Sequence, residues 1–108
     1  MKSESKIQSE IIIWFRNANL GTNNLIWSVP NESSNAKEQM YKKSMGLLTG
    51  VSDLMCVYNG QLLFIEVKIP TGKQSDKQLD FERKIKANGY EYVVVRSLEQ
   101  FQWIIEQL

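Results

Sequence analysis

At the start of this chain, apolar residues recur every three or four positions, which is the spacing of one face of a helix. A first helix is predicted from about residue 6 to 19, because apolar residues recur at helical intervals after the capping-box sequence Ser5-x-x-Gln8: Ile7, Ile11, Trp14 and Ala18. A short strand is predicted at residues 25–29, LIWSV, before Pro30. Asn35-x-x-Glu38 predicts the cap of a second helix over about 36–45.

Residues 51–68, VSDLMCVYNGQLLFIEVK, carry the strongest local signal. Two runs rich in β-forming residues flank Asn59-Gly60, which is typical of a two-residue type I′ hairpin. If Tyr58 pairs with Gln61, counting outward pairs Asp53 with Glu66. Side chains alternate along a strand, so Lys68 is expected on the same face as these two acids. The hairpin therefore predicts one cluster of Asp53, Glu66 and Lys68.

The remaining chain predicts a helix, a strand and a helix. Ser75-x-x-Gln78 opens a helix to about Asn88, residues 92–95 form a β-branched strand, and Ser97-x-x-Gln100 caps a final helix. A strand, helix, strand order favours a right-handed crossover and parallel pairing. We therefore predict a single α/β domain over residues 1–108, with a mixed central sheet that contains the hairpin and is flanked by helices.

The negative charges of the two opposed carboxylates, Asp53 and Glu66, need a positive charge between them. Two carboxylates about 5 Å apart repel by roughly 3 kcal/mol at an effective dielectric constant of about 20. A divalent cation such as Mg²⁺ accepts oxygen ligands and fits this site, and the carbonyl of Val67 adds a further oxygen. In the alternative interpretation, Lys68 simply neutralises both acids in a structural domain. Glu10 falls on or beside the apolar stripe of the first helix, so it either has a cationic partner or lies at the edge of the stripe with its carboxylate in water.

The composition limits which side chains could take part in catalysis. The 108 residues have a net charge of +1 and no histidine, so any catalysis depends on carboxylates, lysine and water. The lone cysteine, Cys56, is predicted to lie in the core. No run is apolar enough to span a membrane and the N-terminus lacks a signal-peptide core, so we expect a cytoplasmic protein that does not bind membranes.

Basic residues are concentrated in two segments that are candidates for nucleic-acid binding. The segment 68–86 has six basic residues against three acidic ones, and the amides at the start of its helix are available to a phosphate. The second candidate surface is the basic face of the second helix, whose lysines are explained about as well by a solvated face. The predicted contacts are Lys42, Lys43, Lys73, Ser75 and Lys77.

A longer pattern then points to a family. Gly50-x-x-Asp53 is followed by Phe64-Ile65-Glu66-Val67-Lys68-x-Pro70, by Ser75-x-x-Gln78-x-x-Phe81 and by Gly89-Tyr90 before a valine-rich strand. Over nearly its whole length the chain resembles the VRR-NUC family of virus-type replication-repair nucleases, in the PD-(D/E)XK superfamily, whose fold is restriction-endonuclease-like. One departure is Ser52, which stands where the superfamily name has proline.

The resemblance implies a role for each matched position. Asp53, Glu66 and the Val67 carbonyl would hold Mg²⁺ or Mn²⁺, and Lys68 would orient or activate the attacking water. Glu10 would support the metal or its waters, and Gln78 would stabilise the active loop. Asn31 and Glu32 resemble an Asn-rich loop of the family, without an assigned role.

The leading hypothesis is a Mg²⁺- or Mn²⁺-dependent DNA endonuclease. Single-domain members of the family act as homodimers on branched DNA such as four-way junctions, which implies this substrate class, a homodimer and a bacterial or phage-infected host cell. A second hypothesis is a non-catalytic nucleic-acid-binding module that retains the nuclease fold.

Overall fold

The computed structural model describes residues 1–29 and 35–108. Within these residues, four helices and four strands follow one another in the order predicted from the sequence. They are α1 (Glu4–Ala18), β1 (Leu25–Ser28), α2 (Ala36–Ser44), β2 (Leu54–Tyr58), β3 (Gln61–Val67), α3 (Asp76–Ala87), β4 (Glu91–Val95) and α4 (Leu98–Glu106).

The hairpin of β2 and β3 has the predicted register. Tyr58 pairs with Gln61 and Leu54 with Ile65. Asn59 and Gly60 both have positive φ angles, of 48° and 83°, as a type I′ turn requires. The two-residue turn therefore sets the register of β2 and β3.

The four strands form one mixed sheet in the order β1-β2-β3-β4. β1 pairs with β2 antiparallel, and β4 pairs with β3 parallel, which confirms the predicted crossover through α3. The α/β architecture with a mixed central sheet is thus confirmed. Asn31 and Glu32 lie outside the described residues.

The hydrophobic core lies between one face of the sheet and the helices α1 and α4. Cys56 is buried in it, as the alternation along β2 predicts. The other face carries an aromatic group in which Phe81 of α3 packs against Phe64 and Tyr92, at ring-centroid distances of 5.9 and 6.2 Å. The core side chains are Ile7, Ile11, Phe15, Ile26, Leu54, Cys56, Leu63, Ile65, Val67, Val95, Phe101 and Ile105.

Helix α1 begins earlier than predicted. Its N-cap is Ser3, whose hydroxyl accepts a hydrogen bond from the Lys6 amide at 3.1 Å, and not Ser5. The buried stripe also differs from the prediction. Phe15 is buried, whereas Ala18, which the predicted stripe included, is exposed. The earlier start brings Glu4 into the first turn of the helix.

The loop between β3 and α3 is held by an arginine. Nη1 of Arg96 lies 2.8 Å from the carbonyl oxygen of Ile69 and 2.7 Å from that of Gly72, and donates a longer hydrogen bond of 3.4 Å to Pro70. The preceding residue, Val95, accepts a hydrogen bond from the Lys68 amide at 3.0 Å. The end of β4 therefore fixes both the position of Lys68 and the path of the chain towards α3.

A glycine brings α3 close to the segment before β2. Gly50 has a φ of +85°, and a Cβ atom placed on it would lie 2.5 Å from the carbonyl oxygen of Lys77. Such a contact is shorter than van der Waals packing permits, and L residues rarely adopt this φ. Glycine at this position thus allows the first turn of α3 to pack beside the chain that leads to Asp53.

Candidate active site

Three carboxylates converge where β2 begins, β3 ends and α1 begins. Oxygen atoms of Glu4, Asp53 and Glu66 lie within 4.8 Å of one another. The hairpin register delivers Asp53 and Glu66 to the same end of the sheet, and Asp53 also accepts a hydrogen bond from the Val67 amide at 2.8 Å. The two acids that the hairpin was predicted to bring together are therefore close to each other, and a third acid from α1 joins them.

Glu66 is the most enclosed member of the group, with 1% of its surface exposed. Its Oε2 accepts a hydrogen bond from Nε2 of Gln78 at 2.9 Å. Its Oε1 is buried and, among the described residues, has no hydrogen-bond partner. A buried oxygen without a donor costs free energy, so this atom is suited to a ligand that the chain does not itself supply.

The pKa of Glu66 reflects the same geometry. Burial raises it from 4.5 to about 8, and the Asp53 carboxylate adds to the increase, while Lys68 opposes it. Burial disfavours the charged form of a carboxyl group, and a second carboxylate nearby has the same effect. The site is therefore short of positive charge, even with the lysine in place.

Lys68 supplies the cationic side chain of the group. Its Nζ lies 3.5 Å from Oε2 of Glu66 and 3.9 Å from Oε1 of Glu4, and its side chain is 12% exposed. These separations are longer than a close ion pair, which leaves the ammonium group able to bind an anion as well. The predicted cluster of Asp53, Glu66 and Lys68 is thus assembled.

Gln78 joins the cluster to α3. Its Oε1 accepts a hydrogen bond from the Ser75 amide at 2.8 Å, while the Ser75 hydroxyl accepts one from the Gln78 amide, so the predicted capping box is confirmed. Because the same side chain also donates to Glu66, the helix start and the buried carboxylate hold each other in place.

The structure places Glu10 away from these acids. Both of its carboxylate oxygens bind Nζ of Lys2, at 2.9 and 3.0 Å, so Glu10 has the cationic partner that its position on the helix requires. Glu4 is the acid of α1 that lies beside Asp53 and Glu66, whereas the family resemblance implied a supporting role for Glu10. Glu4 was missed because Ser5 was chosen as the cap, which left residue 4 outside the helix. Its signal is the spacing of three residues before Ile7, which extends the buried stripe.

The predicted nucleic-acid contacts lie in two places. Lys73, Ser75 and Lys77 border the start of α3, next to Gln78, and all three are exposed. Lys42 of α2 forms an ion pair with Glu38 at 2.9 Å, and Lys43 is exposed. Within α3, ion pairs with acids of the same helix partly neutralise the basic segment, namely those of Arg83, Lys84 and Lys86. The positive side chains closest in sequence to the site are thus Lys68, Lys73 and Lys77.

The donor set fits a hard divalent cation. Three carboxylates offer oxygen ligands within a small volume, and the unpartnered Oε1 of Glu66 is one of them. The Val67 amide, bound to Asp53, brings its peptide group close to the same acids. This arrangement of acids beside a half-buried lysine on a mixed sheet is typical of the active site of a nuclease.

Comparison with known proteins identifies the family. A model of the VRR-NUC domain matches residues 2–99, and the chain therefore belongs to the VRR-NUC family, with a nuclease-type function. The fold is consistent with the PD-(D/E)XK architecture.

Two solved structures share the fold. A "VRR_NUC domain protein" is 22% identical, with a TM-score of 0.79, and the match covers 99% of this chain and 88% of that one. A "VRR_NUC domain" is also 22% identical, with a TM-score of 0.70, and the match covers 98% of this chain and 97% of that one. No curated protein matches the chain. Among the described residues, no helix is long and apolar enough to cross a membrane.

Proposed function

We propose that this chain, acting as a single domain over residues 1–108, is a DNA endonuclease that depends on Mg²⁺ or Mn²⁺ and cleaves branched DNA such as four-way junctions. The observation that supports this most directly is the buried, unpartnered Oε1 of Glu66 in a group of three carboxylates. Burying a carboxylate oxygen without a partner destabilises the fold, and clustered acids repel a phosphate backbone. A module that only bound DNA would gain nothing from such a group of acids.

The residues of the site divide the chemistry between them. A bound divalent cation supplies polarisation of the phosphodiester and a more acidic water molecule. Asp53, Glu66 and Glu4 are the side chains that would hold it, and the Val67 carbonyl would be a further ligand. Lys68 orients or activates the attacking water and offsets the negative charge that develops on the phosphate. Gln78 keeps the buried carboxylate in position through the capping box.

The test is cleavage of a labelled four-way junction, compared with a linear duplex of the same sequence. We expect cleavage with Mg²⁺ or Mn²⁺, none in EDTA, and none in Asp53→Asn or Lys68→Met. Far-ultraviolet circular dichroism checks that both variants are folded. Cleavage that survives EDTA or both substitutions would reject the proposal, and metal-independent binding without turnover would favour the non-catalytic module.

A second pair of variants tests which acid of α1, Glu4 or Glu10, contributes to metal binding and cleavage. Glu4→Gln is expected to lower the cleavage rate and to weaken Mg²⁺ binding by roughly 10–100-fold, as loss of a carboxylate near a metal typically does. Glu10→Gln removes the ion pair with Lys2 instead and is expected to have a smaller effect on both. An equal or larger loss in Glu10→Gln would restore the assignment made from the sequence.

We also propose that the protein is a homodimer and that α2 lies in the dimer interface. None of the residues of α2 is buried, and apolar side chains on it and just after it are exposed: Met40, Tyr41, Met45 and Leu48. Nine residues are few for a stable helix, so packing of its exposed apolar side chains against a second copy would add to its stability. Tyr41 and the C-cap residue Met45 are four positions apart and lie on one side of the helix, as side chains that pack on a second copy require.

Sedimentation of the wild type and of Met45→Lys tests this interface. We expect a dimer that becomes a monomer in the variant, while Lys43→Ala, on the same helix, leaves the dimer intact. A wild type that is monomeric at micromolar concentration would contradict the proposal. We also propose that the enzyme acts in the cytoplasm of a bacterial or phage-infected cell, where it would meet its DNA substrate.

A further inference from the structure

One row of side chains crosses all four strands on the face that α3 partly covers. The register of the three strand pairs defines it as Trp27, Met55, Phe64 and Tyr92. Glu66 comes two residues further along β3, on the same face, and Asp53 immediately precedes β2, two residues before Met55 and at the same end of the sheet. The row therefore lies roughly 7 Å from the row of the two acids, which is two residues along a strand.

The two halves of this row have different surroundings. Phe81 and Tyr90 pack against Phe64, and Phe81 also packs against Tyr92, so the half on β3 and β4 is covered. In the half on β1 and β2, Trp27 remains 40% exposed, beside the half-buried Met55. An indole ring thus faces solvent one strand away from Asp53.

We propose that Trp27 is a stacking platform for an unpaired nucleobase next to the scissile phosphate. This inference rests on the proposed nuclease function and adds to it a preference for DNA with unpaired bases beside the cut. A strand whose phosphate lies at Asp53 and Glu66 carries the adjoining base within reach of the Trp27 ring. Aromatic side chains bind unpaired bases of any sequence through their ring faces, and a base inside an intact duplex offers no such face.

A second copy of the chain is a poorer occupant of this surface. Trp27 and its neighbour Leu25, which is 58% exposed, together offer on the order of 200 Å² of apolar surface. A stable protein interface needs about 800 Å² from each partner. A protein that covered Trp27 would also obstruct the approach of a phosphate to Asp53.

The test is the binding of fluorescently labelled single-stranded oligonucleotides, measured by anisotropy in EDTA. We expect Trp27→Ala to weaken binding by about tenfold or more, and Trp27→Phe to restore most of it, since one stacked base contributes such a factor. Trp103→Ala is the matched control, because Trp103 is 61% exposed on α4, which packs on the opposite face of the sheet. Thermal melting of each variant checks that the edge strand is intact.

Oligonucleotides that each lack one base provide the decisive measurement. At one position, removal of the base should weaken binding to the wild type and have no further effect on Trp27→Ala. Equal losses in both proteins at every position, or a Trp27→Ala variant that binds like Trp103→Ala, would overturn the proposal. A shift in oligomeric state in Trp27→Ala, measured by sedimentation, would overturn it in favour of a protein partner.

The outcome is separable from that of the proposed function. Binding in EDTA requires no hydrolysis, so base-dependent binding through Trp27 without cleavage would reject the nuclease alone. Cleavage that is indifferent to Trp27 would reject the stacking platform alone.

Discussion

The raised pKa of Glu66 makes an unusual prediction about stability. In the metal-free protein, this carboxyl group titrates near pH 8, compared with 4.5 in the unfolded chain. Between these values the folded state binds the proton more tightly than the unfolded state does. Stability is therefore highest below about pH 4.5 with respect to this group and is lost as the pH rises towards 8. Most paired carboxylates have the opposite effect.

The magnitude follows from the size of the shift. Each pH unit inside this window changes the free energy of unfolding by about 1.4 kcal/mol, so the contribution lost between pH 5 and pH 7 is about 3 kcal/mol. Glu66→Gln keeps the shape of the side chain and an acceptor for Gln78, but cannot ionise. We therefore expect Glu66→Gln to be more stable than the wild type at pH 8 in EDTA.

Urea denaturation in EDTA at pH 5, 6, 7 and 8 measures the effect. The quantity to compare is the difference in unfolding free energy between wild type and Glu66→Gln, because other titrations are common to both proteins. Glu106→Gln, an exposed position on α4, is the control for the loss of a carboxylate. Saturating Mg²⁺ should stabilise the wild type most at high pH, where Glu66 is ionised. A difference that does not vary with pH would refute this account of the buried carboxylate.

Two further substitutions test how the site is held. Gly50→Ala should destabilise the protein by more than Gly89→Ala, because both have positive φ angles of +85° and +86°, but only the first places a Cβ 2.5 Å from the Lys77 carbonyl oxygen; equal melting temperatures would contradict the steric argument. Arg96→Met removes donors from the carbonyls of the loop 69–72 and should cost about 2–3 kcal/mol in urea denaturation, together with a lower affinity for Mg²⁺. An unchanged metal affinity would show that the loop does not position the site.

The hairpin shows what local sequence could predict. Asn59-Gly60 selects a turn whose geometry admits one register, and that register extends to Leu54 and Ile65, the residues next to Asp53 and Glu66. Counting along the two strands therefore predicts that these two acids lie close together. The helix caps at Asn35, Ser75 and Ser97 were predicted for the same reason, since each depends on residues three positions apart.

The start of α1 shows where local sequence was insufficient. Ser3 and Ser5 are both followed by plausible helix, and the capping-box pattern favours Ser5. The observed cap at Ser3 accompanies a buried stripe through Ile7, Ile11 and Phe15, which depends on packing against the sheet. That packing determines whether Glu4 or Glu10 lies beside Asp53 and Glu66. Spacing along the chain alone does not distinguish between the two acids.

Gly50 is an intermediate case. Its type and its place before Asp53 predicted a close approach of some kind near the cluster, but not the group that approaches. In the structure that group is the backbone of the first turn of α3. A glycine in the sequence indicates that another group approaches the backbone closely. Which group it is depends on a distant part of the chain.

By itself, the sequence determined the order of the elements, the register of the hairpin and the pairing of Asp53 with Glu66, because turns and caps depend on contacts between near neighbours. Only the tertiary structure decided that Glu4 joins these acids, that Glu10 pairs with Lys2 and that Trp27 stays open beside the site. Those outcomes depend on how helices dock across a sheet. Docking is settled by the packing of side chains far apart in the chain, which spacing along one segment does not encode.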